Sequence, residues 1–148
     1  MTETNHAAIV PLTVTSASTL TPQLPSPPQP FPPTPFPFQS LDCYRVAREL
    51  AARVHRASIS DPELRDQATR AAKSAFLNLC EGLPDDRGPM RRKFFSASDA
   101  SLHETVGAVD LAAAIGALSD SAAAEILVLA GRLRGMLRGL LRIGAPAR

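Results

Sequence analysis

Residues 61–82 read DPELRDQATRAAKSAFLNLCEG, and the reading of this stretch decides the fold. Leu64, Ala68, Ala71, Ala75 and Leu79 recur at steps of three and four, the spacing of one buried helix face. Ser60 and Glu63 make a capping-box pattern at its start, each side chain answering one orphan amide of the first turn. Pro62 is tolerated there, because early helix amides have no internal partner. Gly82 is expected to supply a left-handed C-cap, with Pro84 just beyond to prevent continuation. The stretch is one helix with marked ends.

The same reading extends outward. Upstream, a helix is expected from an N-cap at Ser40 to about Arg56, with Tyr44, Ala47, Leu50, Ala51 and Val54 as its apolar stripe. Arg45, Arg48, Glu49 and Arg53 face the other way. The connection through Ser58, Ile59 and Ser60 is short, which favours an antiparallel neighbour. Downstream, residues 83–90 (LPDDRGPM) read as a turn-rich loop. A third helix over residues 91–118 puts Phe95, Leu102, Val106, Val109 and Ala113 on one side. Leu111, Ile115 and Leu118 fall roughly opposite, so this helix needs two apolar partners.

Ser119, Asp120 and Ser121 offer N-caps for a fourth helix, whose stripe is Ile126, Ala130, Leu133, Leu137 and Leu140. Its reverse face holds Gly131, Gly135 and Gly139 at steps of four, among Arg134, Arg138 and Arg142, with Leu127 and Val128 leaning the same way. Each interior glycine costs about 0.5–1 kcal/mol relative to alanine, so three together call for a reason. Small residues let another backbone come close, and arginines supply donors around it. The face looks made to be covered.

Four helices with short loops give an all-α chain, an antiparallel up-down-up-down four-helix bundle over residues 38–148. Residues 1–37 read as a disordered Pro-rich tail: ten of the 14 prolines precede residue 38. Pro27-x-x-Pro30 and Pro30-x-x-Pro33 have the form of ligands for aromatic-lined grooves, and the same composition serves as a spacer. Phe31, Phe36 and Phe38 are also able to dock back onto the bundle. The segment has no basic leader region and no secretory signal pattern. The longest late apolar run, residues 126–143, carries four arginines and is no membrane span. Cys43 and Cys80 lack a metal-type spacing and read as small core residues of a cytoplasmic protein.

The net charge of +2 does not by itself announce a nucleic-acid binder. The distribution says more. Residues 1–40 contain no Lys or Arg, whereas no acid follows Glu125 and five arginines do, at 132, 134, 138, 142 and 148.

A run of residues then resembles a known family. Phe38-x-x-Leu41-x-x-Tyr44-x-x-Ala47, Gln67-x-x-Arg70-Ala71-Ala72-x-Ser74, Asn78-x-x-Glu81-Gly82, Lys93-x-Phe95 and Ser101-Leu102-x-Glu104 follow in order. They are similar to the small bacterial four-helix-bundle proteins encoded in intervening sequences of 23S ribosomal RNA genes. The accessory variability determinant of diversity-generating retroelements is similar too. The likeness covers residues 38–142. It implies a homopentameric barrel with no known enzymatic activity, and for the retroelement relatives binding to a reverse transcriptase and to nucleic acid through basic surfaces.

Catalytic and metal chemistry finds little to stand on. Di-iron bundles require inward carboxylates with Glu-x-x-His pairs, and none occurs within residues 38–148. Asp99 and His103 share a face with Glu104 but fall short of a ligand set, and His55 and His6 stand apart. Neither cysteine has a visible base, and no phosphate-cradling glycine loop exists. No enzyme, cofactor, metal, membrane or small-molecule substrate is expected. Arg70, Asn78 and Glu81 are expected to form a structural network: Asn78 and Glu81 at neighbouring helix ends, Arg70 with an acid. The candidates for phosphate or partner contact are Arg132, Arg134, Arg138 and Arg142, and the cluster Arg91, Arg92 and Lys93. No aromatics interleave with them, which speaks against base reading. The same arginines also suit a subunit contact with acids such as Asp85 and Asp86. The reading is a non-catalytic homo-oligomeric adaptor for a protein partner, with RNA or DNA as a further partner. Its alternative is a non-specific RNA- or DNA-binding accessory protein.

Overall fold

A computed structural model describes residues 36–143. The Pro-rich reading of residues 1–37 lies almost wholly outside them, as does Arg148. After a single 3-10 turn, Pro37–Ser40, come α1 (Asp42–Arg56), α2 (Pro62–Gly82), α3 (Gly88–Ala114) and α4 (Asp120–Ile143). Among the described residues there is no strand. Each helix packs on two neighbours, α1 on α2 and α4, α3 on α2 and α4, and the backbones of the diagonal pairs stay further apart. This is the four-cornered, up-and-down bundle that the periodicities require.

The core forms where the stripes meet. Leu50 and Val54 of α1, Leu79 of α2, Phe95, Leu102 and Val109 of α3, and Ile126, Leu133 and Leu137 of α4 are all within 1 % of full burial. Such side chains contribute roughly 1.5–3 kcal/mol each when fully buried. The predicted stripe positions Tyr44, Ala51, Leu64, Val106, Ala113 and Leu140 are only half-buried, around the rim of that centre.

Several predicted ends differ. Ser40 does not cap α1; its hydroxyl donates to the Pro37 carbonyl at 2.7 Å, and Leu41 is the N-cap with no side-chain bond. The capping box is also replaced. Asp61 caps α2 by accepting from the Leu64 amide at 2.9 Å. Ser60 instead reaches the loop after α3, its amide donating to the Ala117 carbonyl at 2.9 Å and its hydroxyl at 3.3 Å. A partner 57 residues away outbids the local one.

Gly82 is the last helical residue of α2, not a left-handed cap; the cap position is Leu83 in right-handed helical geometry. The one described positive-φ glycine is Gly116, at φ 75°. There the Gly116 amide donates to the Ala113 carbonyl at 2.9 Å and the Ala117 amide to Ala112 at 2.8 Å. This is a Schellman ending, and it stops α3 at Ala114 rather than Leu118. The turn it makes sends Leu118 into the core at 5 % exposure, while Leu111 and Ile115 stay outside at 50 % and 57 %. Ser119 is the residue that caps α4, weakly, with the Ala122 amide 3.4 Å from its hydroxyl.

Candidate interaction face

The fourth helix presents the most unusual surface. Gly131, Gly135 and Gly139 are all exposed, and a Cβ added to any of them meets nothing within 4 Å. Val128, on the same side, is 64 % exposed. Their smallness therefore answers no need among the described residues. Arg132, Arg134, Arg138 and Arg142 are exposed beside them and form no ion pair among the described residues. Leu127 turns toward the core and does not belong to the face.

The second basic cluster is not independent of this one. Arg92, in the first turns of α3, donates through Nη1 to the Leu141 carbonyl near the end of α4 at 2.9 Å. That bond sets Arg91, Arg92 and Lys93 at the same end of the bundle as Arg138 and Arg142. Arg91 is partly occupied, its guanidinium carbon lying 5.4 Å from the centre of the Phe95 ring. Arg132 and Arg134 lie further along α4, away from this end. Of the nearby acids, Asp85 is engaged within the chain: both its oxygens accept from the Arg87 guanidinium, at 3.0 and 2.8 Å, and one also takes the Arg87 amide. Arg87 holds that carboxyl below the usual carboxylate range.

The polar motif between α2 and α3 has a wiring different from the one expected. Asn78 donates to the Ser74 carbonyl of its own helix at 2.9 Å, not to a neighbouring helix end. Arg70 bonds to Gln67 at 2.9 Å rather than to an acid, and Gln67 in turn bonds to Glu104 of α3. Glu81 is exposed and makes no bond to a described residue. The buried centre of the seam is Ser98, whose hydroxyl donates to the Ala75 carbonyl at 2.7 Å, with Ser74 and Ser101 paired at 2.9 Å beside it. Gly82 completes it: an added Cβ would sit 2.6 Å from Phe95 Cε1. Sequence reasoning missed Ser98 and Thr105, the two buried polar side chains among the described residues. Their helical step of seven was the available signal.

The profile of the 23S rRNA-intervening sequence proteins matches residues 39–139, which is most of the chain and the whole of this seam. The chain belongs to that family. A comparison with curated proteins gives no match. As an intervening-sequence protein it therefore carries the four-helix architecture, with Gln67, Ser74, Asn78, Ser101 and Glu104 of the recognised pattern bonded along the α2–α3 seam.

Burial raises both thiols, Cys43 and Cys80, above their ordinary value. Asp99 and His103 meet as a half-exposed pair, 2.7 Å from the ring Nδ1 to the Asp99 carbonyl. Among the described residues no three His, Cys, Asp or Glu side chains gather as a metal would require. No described helix is long and apolar enough to cross a membrane.

Proposed function

We propose that this intervening-sequence protein is a non-catalytic, homo-oligomeric cytoplasmic adaptor that assembles through the outer face of α4. The observation that supports it is three exposed glycines spaced by one turn each, with open space where a Cβ would stand, flanked by four arginines that form no ion pair among the described residues. Intrinsic helix preference works against such residues on a solvated face, by about 0.5–1 kcal/mol apiece. A covering helix accounts for them. The surfaces left after assembly are then free for a protein partner.

A second reading rests on the basic end of the bundle. Arg91, Arg92 and Lys93 converge with Arg138 and Arg142, and guanidinium forks suit phosphates. Repetition around an oligomer multiplies a weak patch into binding of RNA or DNA without sequence preference.

One pair of variants separates the two. Arg134→Glu with Arg138→Glu is expected to break the oligomer in size-exclusion chromatography. Arg92→Glu with Lys93→Glu is expected to leave it intact and to abolish salt-dependent retention of labelled RNA, if RNA is a partner. An assembly indifferent to the first pair removes α4 from the interface.

A further inference from the structure

We infer that α1 is a hinged strap: it swings off α2 and α4 as one body, about Ala57 and Ser58, while α2, α3 and α4 stay packed. Nothing in this depends on how copies of the chain assemble. It follows from how unequally the four helices are held.

The α2–α3 seam is the most firmly joined. Ser98, wholly buried, donates to the Ala75 carbonyl at 2.7 Å, Ser74 pairs with Ser101 at 2.9 Å, and Phe95 lies against Gly82 where a Cβ would stand. Buried bonds of this kind hold well, because breaking one strands a polar group away from water. The hold on α4 comes from bulk. It buries Ile126, Leu133 and Leu137 and leans Leu127, Met136 and Leu140 on the core, and Arg92 of α3 ties its end at 2.9 Å. The first helix has less of both. Its large buried side chains are Val46, Leu50 and Val54, and at its rim it adds Ala51. Arg53 meets Glu125 of α4 with 45 % and 56 % of the two side chains exposed, and such surface pairs contribute little. The Tyr44 ring rests on Phe76 of α2, 5.3 Å between centroids. At 15 residues α1 is the shortest of the four helices, near the length at which a helix alone is marginal. Its N-cap, Leu41, supplies no side-chain bond.

The chain just past α1 is fixed, which confines the motion. Ile59 is 2 % exposed. Ser60 gives both its amide and its hydroxyl to the Ala117 carbonyl, at 2.9 and 3.3 Å, and Asp61 caps α2. Opening α1 therefore does not unwind α2. Ala57, extended at ψ 132°, and Ser58 are left to turn. Beside them a cleft of about 450 Å³ runs between Arg53, Arg56 and Ser58 on one side and Ser119, Ala122 and Glu125 on the other, so the hinge end of α1 stands off the start of α4. The open form uncovers the core-facing sides of α2 and α4, Leu79 and Ile126 among them, together with the Cys43 thiol.

Hydrogen exchange of the unmodified full-length chain, followed by mass spectrometry at urea concentrations below the unfolding transition, tests the hinge. Amides 47–56 are expected to exchange through one shared opening, about tenfold or more faster than the slowest amides of α2 and α3, with a urea dependence less than about half that of global unfolding. Exchange of those amides at the rate of the slowest α2 and α3 amides overturns the inference. So does a gradient that starts at Asp42 and leaves amides 50–56 at the global rate, which is fraying of one end. Exchange of α1 and α4 together, as a single unit, overturns it as well.

Discussion

A Cβ on Gly82 would lie 2.6 Å from Phe95 Cε1 and 2.7 Å from Cδ1, closer than packed carbon atoms approach. Phe95 is 1 % exposed, packed into the core. Gly82→Ala therefore gains about 1 kcal/mol of helix preference and loses about 1–3 kcal/mol to overpacking. A net fall in the midpoint of urea unfolding is expected. Unchanged or raised stability would mean that the ring moves freely.

The α4 glycines are expected to behave in the opposite way. Gly135→Ala meets nothing within 4 Å, so the single chain is expected to gain about 0.5–1 kcal/mol. Assembly through that face is expected to weaken at the same time. Thermal melts across a hundredfold range of protein concentration read both effects: a higher midpoint when dilute, and a smaller rise on concentration.

Ser98 tests the seam between α2 and α3. Its hydroxyl is fully buried and donates to the Ala75 carbonyl at 2.7 Å. Ser98→Ala is expected to cost about 1 kcal/mol, the net worth of one such bond. Ser98→Leu is expected to cost more, about 1–3 kcal/mol, by forcing the helices apart. Equal stabilities for both would show that the seam is loosely packed.

The thiols give a pH dependence with a definite sign. Burial raises Cys43 and Cys80, and the charge of Cys43 and of Glu81 adds to the rise at Cys80. The folded chain thus holds these protons more tightly than the unfolded chain. Their stabilising contribution is full below the ordinary thiol value of about 8.5 and declines as pH climbs past it. Cys43→Ala with Cys80→Ala is expected to flatten the alkaline fall in stability. Alkylation by iodoacetamide at pH 8 is expected to be slower in the native than in the urea-unfolded chain.

The course of the chain was largely legible, because periodic stripes such as Ile126, Ala130, Leu133 and Leu137 depend only on helix geometry. The ends were less so. Ser60 looks like a cap until Ala117, far along the chain, takes its hydroxyl and leaves the work to Asp61. Gly82 looks like a turn residue until Phe95 arrives against it. Gly116, the residue that does turn left-handed, sits inside a run that reads as continuous helix. For the candidate face, the glycine–arginine pattern of α4 was readable as a surface awaiting cover. The convergence of Arg92 with the end of α4 was not, since it depends on how two helices are levelled against each other. The same holds for the ring ladder Phe36–Phe38–Tyr44–Phe76, with centroid steps of 5.7, 5.7 and 5.3 Å, which seats the start of the described chain on α2.

The most direct measurement is the mass of the unmodified chain by sedimentation equilibrium at micromolar concentration and physiological salt. A cover for the α4 glycines drawn from other copies gives a mass several times the 15.7 kDa of one chain. A mass of 15.7 kDa at every concentration would contradict it.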